Sequence, residues 1–194
     1  MTPEAALKAQ LREAALARRA ALSAEMRERF TRRLVAEGLE LASRLKPKTV
    51  SAFYPVRDEP DTLALLAALG AQGVTTALPV TRARGEPLLF RRWKPGEPTV
   101  PGQMRIPEPT ADAPALDPDL LFAPLSAFDR RGQRIGYGAG HYDLTLARLR
   151  ARKSVIAVGV AYSVCEVDAI PSEPHDQPLD FILTEIELID PKVP

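Results

Sequence analysis

The chain of 194 residues has no asparagine, one cysteine and few aromatic residues. The lone Cys165 excludes an internal disulfide and a cysteine-rich metal site. No 18-residue apolar run occurs, and no apolar segment near Met1 has the form of a secretory signal, so neither a membrane span nor a leader is expected. No sign of charge dominates: 26 Lys and Arg stand against 25 Asp and Glu, so no overall field draws the chain to nucleic acid or lipid. A soluble, reduced, cytoplasmic protein with no nucleic-acid or membrane partner is expected, and a monomer is taken as the working state. Scarce amides and 19 prolines fit a hot environment, and a GC-rich genome would leave the same bias.

What is present reads as one domain over residues 1–194, with a helical segment over 1–46. "PEAALKAQLREAALARRAALS" is made of good helix formers, with Leu7, Leu11, Ala14, Ala15 and Leu22 as its apolar stripe. Ser23 is placed to cap a second helix from Ala24 to about Leu45. This segment is locally basic, which reads first as a solvated helix face. "TVSAFY" and "VTTALP" read as strands around a helix capped by Asp61, and "EPLLFRRW" as a third strand, in a hairpin or at an edge. Residues 94–118 are rich in proline and read as a long loop. "DLLFAP" and "SVIAVGVAY" are continuous apolar runs suited to strands buried on both faces, and "DFILTE" reads as the last strand. The order predicts an α/β fold with a largely parallel central sheet.

One stretch stands out. In "RIGYGAGHYD", Gly136, Gly138 and Gly140 alternate between Arg134 and Asp143, after a strand and before a helix. The spacing is not that of the dinucleotide fingerprint, and no Gly-Lys-Ser/Thr occurs, so neither common nucleotide motif is present. The physics remains. Glycines let a ligand approach the backbone, and a strand–loop–helix unit offers N–H groups and a helix N-terminus to an anion. Arg134 adds a fork suited to phosphate, and Asp143 suits a Mg²⁺ bridging phosphate oxygens. The plainer reading is a tight turn with Asp143 as a helix cap.

Two further loops are candidates. "FYPVRDEPDT" leaves the end of a strand, where open α/β sheets bind ligands, and its Glu59 can accept from a ligand rich in N–H groups. "SEPHDQPLD" places His175 and Asp176 between prolines, just before the last predicted strand. Each also reads as an ordinary turn.

Together these stretches resemble the 5-formyltetrahydrofolate cyclo-ligase family. Lys8 and Arg12 match a K-x-x-x-R pair in its first helix, and Glu59, Asp61 and Thr62 match E-x-(D/E)-T. "IPEP" at 106–109 matches I-P-x-P, and "FDRRGQRIGYGAGHYD" matches the long signature F-D-x-x-G-x-R-(L/I)-G-x-G-x-G-x-Y-D. His175 and Asp176 match a late H-D pair. The resemblance implies a three-layer α/β/α fold of the type shared with ribose-5-phosphate isomerase and glucosamine-6-phosphate deaminase. It implies ATP and Mg²⁺, with nucleotide contacts at Lys8, Arg12 and the run Arg134, Ile135, Gly136, Tyr137, Gly138, Ala139, Gly140, His141 and Tyr142. Arg134 and Lys8 carry its catalytic charge. Folate contacts fall on Tyr54, Glu59, Tyr137, Gly138, Ala139, Gly140 and His141, and metal ligands on Asp143 and Asp176. His141 stands where the family commonly has Tyr or Phe.

The implied reaction converts 5-formyltetrahydrofolate to 5,10-methenyltetrahydrofolate with release of ADP and phosphate. ATP phosphorylates the formyl oxygen, and the neighbouring nitrogen closes the ring. From charge alone, Arg91, Arg92 and Arg105 are candidates to meet an anionic, polyglutamylated tail. Two rivals stay open at this point. One is a sugar-phosphate isomerase or CoA transferase on the same fold, and the other is a module that binds nucleic acid through its basic N-terminal helix.

Overall fold

The structure, a computed structural model, describes residues 2–193, the side chain of Met104 excepted. Helices α1 (Pro3–Ala20) and α2 (Ala24–Leu45) open the chain. The hydroxyls of Thr2 and Ser23 accept the N–H groups of Ala5 and Met26, both at 3.2 Å, so the chain breaks where Ser23 predicts. Strand β1 (Thr49–Ser51) leads through α3 (Leu63–Ala71) to β2 (Thr75–Val80). Thr62, and not the expected Asp61, is the N-cap of α3; Asp61, one residue earlier, accepts from the Leu63 N–H at 2.9 Å. Strand β3 (Leu89–Arg92) returns antiparallel to β2, with β6 (Ala115–Leu116) outside it at the edge.

Residues 94–118 are not a plain loop. They hold a hairpin of β4 (Thr99–Pro101) and β5 (Pro107–Pro109), joined through a 3₁₀ turn at Gln103–Arg105, and then β6. Pro101 faces Pro107, and Pro109 faces Thr99. Prolines at alternate positions put the missing N–H groups on the outer side of the ladder, which is how so proline-rich a segment still pairs.

Next come β7 (Leu120–Pro124), the short pair β8 (Ala127–Phe128) and β9 (Arg134–Ile135), α4 (His141–Arg150) and β10 (Ile156–Val160). A 3₁₀ turn at Ser163–Cys165 precedes β11 (Phe181–Leu183). "DFILTE" is not the last strand: β12 (Leu188–Ile189) folds back antiparallel on β11. The eight-stranded sheet has the order β12-β11-β10-β7-β1-β2-β3-β6, and the five strands from β11 to β2 are parallel. This is the expected α/β class with a largely parallel sheet. The two apolar runs lie side by side in the middle, with Leu120 to Ala123 and Ala157 to Val160 buried.

Strand progression reverses at the centre. From β1 the chain steps to β2 on one side, and from β7 it steps to β10 on the other, so β1 and β7 flank a topological switch point. The carboxyl ends of strands at such a point open a crevice. Helix α1 packs on β8 and on the 3₁₀ turn after β10, both beyond the carboxyl ends of the central strands. A small second core of Ala15, Ala127, Ile135 and Ile170, flanked by Leu11 and Val167, fixes it there.

That placement corrects the expected stripe on α1. Leu7 and Ala14 are exposed, and the buried face carries Ala15 and Arg19. At 100° per residue, positions 8, 12, 15 and 19 fall within about 60° of one another. The inner stripe is therefore basic around one alanine, because the surface beneath it is a loop of backbone polar groups and acids.

Candidate active site

Segments leaving the ends of β1, β7 and β10 meet beneath α1. From β7 comes the glycine loop. Residues 136–140 run between β9 and α4, and Gly140, at φ +70°, is the residue before the helix. Gly138 has φ +93°. L-residues reach those angles only with strain, so two of the three glycines are required by the backbone itself. Gly136 differs: its φ is unexceptional, and the nearest atom to an added Cβ is Arg134 Nη1 at 3.7 Å. Nothing in the chain demands glycine there; a Cβ would fill a cradle. At Gly138 the nearest atom is Arg12 Nη2, also at 3.7 Å. Among the described residues, no backbone acceptor pairs with the N–H groups of residues 136–140.

Two guanidinium groups bracket this loop. Arg12 Nε donates to the Gly136 carbonyl at 2.7 Å. Arg134, whose side chain is only 4 % exposed, donates through Nη2 to Asp143 Oδ1 at 2.8 Å and lies 5.8 Å from the Tyr142 ring centroid. Its Nε is buried and has no partner among the described residues. Asp143 sits in the first turn of α4 and is not the N-cap, since Gly140 holds that position. The side chain of Ile135 is buried in the second core, so this residue offers the cleft only its backbone.

The acids of the loop after β10 meet α1. Lys8 Nζ donates to Asp176 Oδ2 at 2.8 Å and to Glu173 Oε2 at 3.0 Å. Burial alone would lower the Lys8 pKa, but these bonds outweigh it and hold the ammonium above its ordinary value. Burial alone would raise Asp176; the Lys8 bond and the Glu173 N–H outweigh it and hold the carboxyl low. Gln177 N–H donates to Asp143 Oδ1 at 3.1 Å, so the two expected metal ligands are joined through one residue. Glu173, His175 and Asp176 bring ligand atoms within 4.8 Å of one another. Asp143 lies outside that group.

From β1 comes Glu59, 9 % exposed. Its Oε1 accepts from the Tyr137 hydroxyl at 2.6 Å and its Oε2 from the Val56 N–H at 2.9 Å. Burial is the largest influence on this carboxyl and raises its pKa, with Tyr137 and Val56 opposing. Thr62 closes the turn by donating to the Phe53 carbonyl. Tyr54 is half-buried against the main core. His141 Nδ1 lies 2.9 Å from the Glu86 carbonyl, an acceptor, so in the neutral ring that nitrogen carries the proton.

The arrangement offers unpaired amides, two guanidinium groups, an ammonium and two linked carboxylates beyond the carboxyl ends of the central strands, which suits a polyphosphate with its dication. A family model described as the 5-formyltetrahydrofolate cyclo-ligase family matches residues 4–185. The chain belongs to the 5-formyltetrahydrofolate cyclo-ligase family. It is therefore one of a family of ligases. The chain is 36 % identical over 148 residues to the cyclo-ligase of Haemophilus influenzae, covering 74 % of this chain and 79 % of that one. It is 37 % identical over 148 residues to that of Mycolicibacterium smegmatis, covering 73 % and 75 %. The NMR structure of Aquifex aeolicus 5,10-methenyltetrahydrofolate synthetase superposes with a TM-score of 0.79 at 29 % identity, over 97 % of this chain and 94 % of that one.

Against the cyclo-ligase signature, the structure gathers Lys8, Arg12, Glu59, Arg134, Tyr137, Asp143 and Asp176 into one hydrogen-bonded neighbourhood. It does not bring Arg91 and Arg92 there. Because β3 runs antiparallel, Arg92 pairs with Ala77, toward the amino end of β2, while Leu89 pairs with Val80 at the carboxyl end. Arg91 and Arg92 are also engaged, with the Ala113 carbonyl at 2.6 Å and Glu97 at 2.8 Å. The signature aspartate Asp129 proves to be a pin: fully buried, it accepts from the N–H groups of Arg131, Gln133 and Ile170 and closes the β8–β9 turn beneath the loop. Arg19 was missed. It is 3 % exposed and its Nη2 donates to the Tyr137 hydroxyl at 3.1 Å. Its spacing of seven from Arg12, on one helix face, was the signal available. The expected solvated basic face therefore fails for Lys8, Arg12 and Arg19, which turn inward toward the loops beneath α1.

Proposed function

We propose that this protein uses ATP and Mg²⁺ to convert 5-formyltetrahydrofolate to 5,10-methenyltetrahydrofolate, releasing ADP and phosphate, with residues 1–194 acting as one unit. The observation that carries this reading is the row of unpaired amides at 136–140 between Arg12 and Arg134. Family membership supplies the substrate, since relatives carry 5-formyltetrahydrofolate cyclo-ligase as their name.

ATP supplies the phosphoryl group that turns the formyl oxygen into a leaving group, and Mg²⁺ neutralises charge on the polyphosphate. The chain's part is positioning and charge. The amides of Gly136 to Gly140 and the first turn of α4 point donors at the transferred group. Arg12, Arg134 and Lys8 place positive charge around it. Asp143 and Asp176 fit the dication: each is a carboxylate, one oxygen of each is already fixed by protein donors, and among the described residues the other accepts no hydrogen bond within 3.5 Å. Without ligand, Lys8 and Arg134 are neutralised by these same acids. With a magnesium nucleotide bound, Lys8 and Arg134 would be free to face phosphate, and Asp143 and Asp176 would hold the dication. Glu59 accepts N–H donors of the pterin, with Tyr54 and Tyr137 beside it and His141 at the far end of the loop.

The fold reading extends to three layers of the ribose-5-phosphate isomerase and glucosamine-6-phosphate deaminase type. The β1–α3–β2 and β7–α4–β10 crossovers depart in opposite directions along the sheet, and the usual right-handed course then puts α3 and α4 on opposite faces. A test of function is direct: ADP formation that depends on added 5-formyltetrahydrofolate supports the ligase, whereas an isomerase or CoA transferase would act with no ATP.

A further inference from the structure

Arg19 has no place in the chemistry above. It sits in the last turn of α1, 3 % exposed. A guanidinium cannot shed its charge, and burying one without acceptors is costly. Yet among the described residues its only side-chain hydrogen bond goes to a neutral phenol, Tyr137 OH at 3.1 Å, and its Nε is buried with no partner there. The phenol in turn donates to Glu59 Oε1 at 2.6 Å. A chain of donors thus runs Arg19 to Tyr137 to Glu59, through α1, the glycine loop and the turn after β1. Charge-assisted bonds at both ends polarise the middle hydroxyl in one direction.

The ring of Tyr137 is in a different position from its hydroxyl. The residue is 45 % exposed, the largest exposed aromatic among the described residues, while its oxygen is tucked between two buried groups. Burial and the nearby Glu59 push the phenol up to about 12, so it keeps its proton at neutral pH. An aromatic in a loop of glycines would ordinarily sample several rotamers. Here one end is clamped by two elements outside the loop, leaving a bare ring face held at a fixed angle beside the carboxylate that reads N–H groups.

We infer that Arg19 is a positioning residue that locks Tyr137 as a stacking platform for the planar ring of the folate. Choice of the folate over the nucleotide base follows from place: the hydroxyl of the platform is bonded to Glu59, whereas the polyphosphate cradle is on the amides and on Arg12 and Arg134. The inference rests on the folate reading of Glu59.

The experiment measures equilibrium affinity by calorimetry for 5-formyltetrahydrofolate and, separately, for MgATP, in wild type, Arg19→Met, Tyr137→Phe and the double variant. Each single change is expected to weaken folate binding about tenfold, the scale of one charge-assisted hydrogen bond. MgATP affinity is expected to stay within about twofold, and the double variant to be no weaker than either single one, as for links in one chain. Additive losses, or equal losses for both ligands, overturn the inference. Should Arg19→Met not fold, Tyr137→Phe decides alone, because it keeps the ring and deletes only the clamp: unchanged folate affinity overturns it. Wild type that binds the folate but never turns it over would count against the proposed reaction while leaving the platform standing.

Discussion

Arg12 Nε stands 2.7 Å from the carbonyl oxygen of Gly136, so the first helix grips the first residue of the glycine loop. That bond ties the middle of α1 to the cradle and leaves the rest of the guanidinium beside Gly138. Arg12→Ala is expected to lower kcat/KM by about 10²-fold or more, the usual effect of removing one group that stabilises developing charge. Its thermal midpoint should move little, since Arg12 is only half-buried and makes no ion pair within 4.0 Å among the described residues. Arg134→Ala is expected to lose both activity and stability, because it strands the Asp143 carboxylate. Steady-state rates and melting curves on both variants check the contrast.

The glycines separate backbone need from ligand need. Gly138→Ala forces a side chain onto φ +93° and is expected to destabilise by about 1–2 kcal/mol. Gly136→Ala meets no such strain and is expected to melt with wild type while losing most of its activity. An active Gly136→Ala enzyme would mean that nothing comes close to that backbone.

Glu59 sets an acid limb. Burial raises its folded pKa, so on lowering the pH it takes up a proton earlier than an exposed glutamate would, and a protonated carboxyl no longer accepts from two donors. The kcat/KM profile should fall on the acid side at a pH above the ordinary glutamate value, and Glu59→Gln should remove the limb along with most of the activity. A limb at or below the ordinary value would assign it to another group.

Lys8 and Asp176 give the tether of α1 a defined pH window. The folded pKa of Asp176 is depressed, so its contribution is present above the unfolded value and is lost as pH falls through the folded one. That of Lys8 is raised, so its contribution is present below the unfolded value and is lost as pH rises through the folded one. Amides of α1 should therefore exchange faster than those of β7 and β10 below the ordinary aspartate range, once exchange is corrected for intrinsic pH dependence. Lys8→Ala should show that difference already at neutral pH.

Several of these features are legible in the sequence. The break at Ser23, the two central buried strands and the glycine loop all follow from local rules: a cap, an unbroken apolar run, alternating glycines. What escaped has a common cause. Strands β8, β9 and β12 are two residues long, too short for any period to show, and β4 and β5 are built from prolines that argue against pairing when taken one at a time. Arg91 and Arg92 drew attention by charge, but which end of the sheet they occupy depends on the direction of β3, and no local signal carries it. Arg19 looked like a solvated residue because its neighbour Arg18 is one; burial depends on what α1 lies against.

Asp143 and Asp176 are linked through the Gln177 N–H, and both are proposed to hold the dication. Asp143→Asn should raise the Mg²⁺ concentration needed for half-maximal rate by about tenfold or more, on the scale of one lost ligand charge. A Mg²⁺ titration that does not move would leave Asp143 only as the partner of Arg134.

The central claim is that the amides of residues 136–140 hold the phosphates of a nucleotide spent on closing the folate ring. Mixing wild-type protein with 5-formyltetrahydrofolate, ATP and Mg²⁺, while following the near-ultraviolet absorbance of a methenyl-bridged pterin, tests it most directly. Growth of that band matched mole for mole by ADP, and absent when ATP or Mg²⁺ is withheld, is the result expected; a band that grows equally without ATP, or none in the complete mixture, would contradict it.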